Sequence, residues 1–125
     1  MFQNLDVFRT AMAMARHAGE RQAYSAQNIA NADTPGYRAK HLPDFQDTLR
    51  GALVTQRATR EKHLNGSTER SVQIFETKDE MDPNGNTVSL ELEMVTAVNA
   101  KREHDRALAI YRNSLSVIRA SLGRN

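Results

Sequence analysis

ANADTPGYR, Ala30–Arg38, is the stretch on which the fold turns. Almost everything ahead of it reads as one helix. From Leu5 the apolar or small positions run Leu5, Phe8, Met12, Ala15, Gly19, Gln22, Ala26 and Ile29, in steps of three and four, as along a coiled-coil seam. Ala11, Met14 and Ala18 form a second row beside the first, so the helix expects more than one neighbour. Then Asp33, Thr34, Pro35 and Gly36 arrive together and end it. Asn31 can take the left-handed conformation that closes a helix. Thr34, ahead of proline, is pushed to an extended conformation. Pro35 and Gly36 suit the two central positions of a type II turn, with Tyr37 next. Tyr37 is expected to anchor the exit by packing where the turn meets a helix.

The last third repeats the theme. Leu90, Met94, Ala97, Lys101, His104, Leu108, Tyr111, Leu115, Ile118 and Leu122 again alternate four and three, interrupted by Lys101 and His104. This predicts a helix from about Leu90 to Leu122, roughly 50 Å long. Ser89 is the expected N-cap, Glu91 lies in the first turn, and Gly123 follows as a stop. The acidic run Glu76–Glu93 leads into a basic stretch, Lys101–Arg124, an order that suits the helix dipole. The chain therefore divides into an N-terminal helix over 1–32, a turn and outer segment over 33–88, and a C-terminal helix over 89–125. The segment from Leu42 predicts a short helix ending near Gly51. Asn65-Gly66 followed by Val72 and Ile74 suggests a short strand or hairpin. The fold class is mainly α, with long terminal helices pairing as an antiparallel coiled coil around a small β-containing middle segment.

Composition narrows the function. The 125 residues include no Trp and no Cys, and seventeen basic residues nearly balance fifteen acidic ones. Disulfides and thiolate metal sites are excluded. No apolar run is long enough to span a bilayer, and Asp6 and Arg9 fall where a cleaved Sec signal would be apolar. The four histidines share no metal-ligand spacing. Glu103 and His104 are adjacent, so on a helix they point about 100° apart and make no acid/base pair. Asp82–Asn86, DPNGN, lacks the spaced acids of a calcium loop and reads as a turn. Arg102, Arg106, Arg112 and Arg119 are spread around their helix with acids between, which is a solvated face rather than a nucleic-acid footprint. Two long seams remain. They fit a helical hairpin packed within one chain, and equally chains that assemble with copies of themselves.

NIANADTPGYRAK, Asn28–Lys40, and NGNTVSLELEM, Asn84–Met94, resemble the paired N- and C-terminal signatures of the bacterial flagellar rod and hook axial proteins. The compact ADTPGY and the segment TREKHL, Thr59–Leu64, are most similar to the short, proximal-rod members of that family. Ser89 stands where the family commonly has Asp. The resemblance implies a structural subunit with no catalytic residues, cofactor, metal or small-molecule substrate and no nucleic-acid partner. Such a subunit leaves through the flagellar type III export apparatus without a cleaved signal. It joins the periplasmic rod of the basal body. Its implied partners are copies of itself, other rod proteins, and the MS-ring protein with its rod adaptor. The assembly seam would then be the two rows above: Leu5, Phe8, Met12, Ala15, Gly19, Ala26 and Ile29 on one helix, with Leu90, Met94, Ala97, Leu108, Tyr111, Leu115, Ile118 and Leu122 on the other. Asn31, Asp33, Thr34, Pro35, Gly36 and Tyr37 form the exit motif. Asn84, Gly85, Asn86, Thr87 and Val88 form the C-terminal signature. Two other readings are a self-contained helical adaptor or chaperone-like binding module, and a different rod subunit of the same family.

Overall fold

Periodicity over the first thirty residues becomes a single helix, α1, Phe2–Ala30, and the last third becomes a second, α2, Leu90–Ser121, in a computed structural model that describes residues 2–49, 74–76 and 81–123. At 1.5 Å per residue these are rods of roughly 43 and 48 Å. They run antiparallel along their length. Phe8 stacks on Tyr111 with ring centroids 4.5 Å apart, Arg21 bonds Glu103, and Asn28 bonds Glu93. The chain is thus a helical hairpin whose open end carries the termini and whose closed end carries the two signature turns.

The buried row of the hairpin is made of small residues. Ala11, Ala18, Ser25 and Asn28 of α1 face Glu93, Ala100 and Ala107 of α2. On α1 these positions, with half-buried Met14 and Arg21 between them, keep the three-and-four spacing of a seam. Alanine lets two backbones approach closely, but each methyl contributes only roughly 0.8 kcal/mol of burial. Arg21 adds a tie across the pair. Its guanidinium donates to both oxygens of Glu103 at 3.1 Å and lies 3.5 Å from Asp44.

Leaving α1, the chain turns, forms strand β1, Lys40–His41, and runs through Leu42 to a helical stretch at 45–49. Strand β2, Phe75–Glu76, pairs antiparallel with β1, placing Lys40 opposite Glu76 and His41 opposite Phe75. A strand near Ile74 is therefore present, but its partner is the segment just after the exit turn. The Asn65-Gly66 turn, Val72, Thr59–Leu64 and the helix end near Gly51 lie outside the described residues. The exit segment packs on one side of α1. Phe45 covers the buried ring of His17 at a centroid distance of 5.5 Å, and Leu42 is buried beside Tyr24 and Ser25.

Ser89 occupies the N-cap position of α2 with extended backbone, φ −99° and ψ 109°. Its hydroxyl makes no capping bond, so the expected side-chain cap is absent; Glu91 and Glu93 supply the negative charge at that end. Among the described residues no helix is long and apolar enough to cross a membrane.

Candidate assembly face and the corner that holds it

Two turns meet at the closed end. In the first, the Tyr37 amide donates to the Thr34 carbonyl at 3.3 Å, with Pro35 and Gly36 between them and Gly36 at φ +73°. This is the type II geometry, which requires positive φ at its second central residue. In the second, the Gly85 amide donates to the Asp82 carbonyl at 2.8 Å and the Asp82 amide to the Asn86 carbonyl at 2.9 Å. Gly85, at φ +82°, plays the left-handed residue that follows a type I turn in a bulged hairpin loop. The turns are fastened together. Gly36 donates to the Asn84 carbonyl at 2.9 Å and Thr87 to the Tyr37 carbonyl at 3.0 Å. A Cβ on Gly85 would stand 3.4 Å from the Gly36 Cα, so the two glycines sit back to back.

Asn86 is the hub. Its side-chain amide donates to the carbonyls of Asn31, Ala32 and Thr34 at 2.8–2.9 Å, closing the orphan carbonyls at the end of α1. Its Oδ1 accepts the Val88 amide at 2.8 Å. Asn31 closes one more carbonyl, that of Gln27, through its own side chain at 2.8 Å. Thr34 donates to Asn31 Oδ1 at 3.2 Å, whereas Asp33 is exposed and takes no part in this network. Thr87 accepts the Ala39 amide on Oγ1 at 2.9 Å. The exit and return signatures, some fifty residues apart in sequence, are therefore one hydrogen-bonded unit.

Beneath the hub lies a second asparagine. Asn28 is fully buried and uses all of its bonding capacity. Its Nδ2 donates to the Lys40 carbonyl at 2.9 Å and to Glu93 Oε1 at 3.1 Å. Its Oδ1 accepts the Lys40 amide and the Tyr37 hydroxyl, both at 3.1 Å. His41 Nε2 approaches the same Glu93 oxygen at 3.4 Å. Burial first, and then the charge of Glu93, raise the Tyr37 hydroxyl above its ordinary pKa. Tyr37 thus stays protonated and donates. Asn28, Glu93 and His41 were not singled out as a site from the sequence. The only available signal was polar residues falling on the inner side of an otherwise apolar helix.

The residues of the two sequence seams sit beside this buried row. Met12, Gly19, Ala26 and Ile29 each follow a buried residue by one position on α1, and Met94, Lys101 and Leu108 do so on α2. One residue turns a helix by about 100°. Because the helices run in opposite directions, that step carries both rows to the same side of the pair. Large apolar groups are bare there: Leu5 is 42%, Met12 44%, Ile29 36%, Leu90 49% and Met94 63% exposed. Ala26 is exposed as well, and Leu122, beyond the end of α2, is exposed. Phe8, Ala15, Gly19, Ala97, Leu108, Tyr111, Leu115 and Ile118 are half-buried along its inner edge. The opposite side of α1 is the one covered by the exit segment at His17 and Tyr24, each one residue before a buried position. The hairpin is therefore two-sided, with its outer segment on the back and an open two-helix face on the front.

No family model matches the chain. It is similar to the flagellar basal body rod protein FlgB of Agrobacterium fabrum (strain C58), 32% identical over 110 residues that cover 82% of each chain. The FlgB of Buchnera aphidicola subsp. Acyrthosiphon pisum is 25% identical over 127 residues, 92% of this chain and 93% of that one. The FlgB of Salmonella typhimurium (strain LT2) is 28% identical over 108 residues, 77% and 78% of the two chains. With such coverage spanning both turns and both helices, the chain belongs to the flagellar basal body rod protein FlgB family.

Proposed function

We propose that the chain is a structural subunit of the flagellar basal-body rod, that it assembles through the bare two-helix face, and that it has no enzymatic role. In this reading it passes through the type III export apparatus and joins the periplasmic rod on the MS ring and its rod adaptor. There the terminal helices surround the export channel and transmit motor torque to the next rod proteins. The observation that carries the reading is the front face itself. It holds a complete row of seam-spaced positions with large apolar groups exposed, on both helices and on one side, and the hairpin does not use it to close on itself. Gly19 supports the same conclusion. A Cβ there would meet nothing within 4 Å, so packing within the chain does not require glycine at a helix-interior position where it costs about 1 kcal/mol.

The test is complementation of a strain lacking the gene. Replacing Met12 and Met94 together by Asp leaves the hairpin folded, because both side chains are exposed. The expected result is an exported subunit, no rod in isolated basal bodies, and nonmotile cells. Normal swimming with this variant would defeat the proposal.

A further inference from the structure

The front face has a counterpart on the back of α2. Leu92, Asn99 and Arg106 each precede a buried residue by one position, and Ile110 and Val117 continue that row toward the open end. No described part of the exit segment covers its ends: Leu92 is 66% exposed, and Val95 beside it, Ile110 and Val117 are exposed too. The row is apolar at both ends and polar in the middle. The front face has the same pattern, with Ile29 and Met94 at the closed end, Leu5 and Met12 at the open end, and Gly19, Gln22 and Lys101 between. The two surfaces match along their length and lie on opposite sides of one molecule.

We propose that the occupant of the front face is a second copy of this chain, which lays the back row of its α2 into the groove with its closed end pointing the same way. This rests on the rod-subunit reading and adds to it the pair of surfaces and the polarity. The contact is heterologous, since each copy offers a different surface to each neighbour, so it propagates around an axis parallel to the helices. A face-to-face dimer would cover the front and leave Leu92, Val95, Ile110 and Val117 bare. At mid-length the neighbour's Asn99 and Arg106 cross near Gly19, which leaves room for the longer of them.

The absence of cysteine makes the test direct. Met12 and Ile110 lie at similar heights, because Phe8 meets Tyr111, yet they are on opposite sides of the hairpin and cannot reach each other within one chain. A Met12→Cys/Ile110→Cys double variant, oxidised at high concentration, should give a ladder of dimers, trimers and higher species on a non-reducing gel. Each single variant should stay monomeric, and mixing the two should restore dimers. Adding Gly19→Leu should abolish the ladder while circular dichroism stays unchanged. Disulfide dimers from Met12→Cys alone would show a face-to-face contact and overturn the proposal, as would a double variant that stops at dimers or does not cross-link. If these results fail while Met12→Asp/Met94→Asp still yields rodless cells, the neighbour assignment falls and the rod reading stands.

Discussion

At the corner, one asparagine side chain closes three carbonyls of the exit turn and accepts a fourth bond from the returning chain. Along the helix pair, four buried alanines provide most of the fully buried apolar contact. The first region is directional, with each donor aimed at a particular atom. The second is permissive, since methyl rows allow close approach but define height and rotation weakly. The difference teaches that the polar corner sets the register of the hairpin and the alanine seam accepts it. The large apolar residues are then free to face outward, where a monomer would not place them.

The comparison is broken most directly at Asn86. Asn86→Ala leaves three carbonyls and the Val88 amide to find other partners, and should cost about 3 kcal/mol or more. Urea unfolding followed by circular dichroism measures this. A loss below about 1 kcal/mol would mean that the alanine seam, not the corner, holds the hairpin. Gly85→Ala is smaller, about 1–2 kcal/mol for the left-handed backbone, and should exceed Gly36→Ala. The added methyl at Gly85 meets Gly36 at 3.4 Å, whereas at Gly36 it meets nothing within 4 Å. Equal losses would show that contact between the turns is unimportant. Met94→Gln, on the open face, should move monomer stability by no more than about 0.5 kcal/mol. A larger loss would place Met94 inside the fold of the single chain.

The helices, their ends and the exit turn were legible in the sequence because Pro35, Gly36 and Gly123 punctuate long three-and-four rows. The β-pair was legible on one strand only. Ile74 and its neighbours carry strand-forming side chains, while Lys40-His41 is recruited by Asn28, which bonds both the amide and the carbonyl of Lys40. The row that closes the hairpin lies one residue away from the row that hydropathy selects. Met12, Ile29 and Met94 attract attention because they are large, yet Ala11, Asn28 and Glu93 point inward. Hydropathy ranks side chains by transfer free energy and has no term for a polar corner that draws two backbones together. Asn86 stood inside a recognised motif, but its partners are more than fifty positions upstream, and no local rule of spacing names them.

The back-to-back glycines also have a meaning for the chain between them. With Gly36 and Gly85 held in contact, the ends of residues 37–84 are fixed, whatever that span contains. To the helical hairpin it is a cassette plugged into a socket of constant width. Closing a loop twice as long costs only about 0.6 kcal/mol more. Insertions, deletions or whole grafted modules within the cassette can therefore change what the subunit presents outward while both helices keep their register.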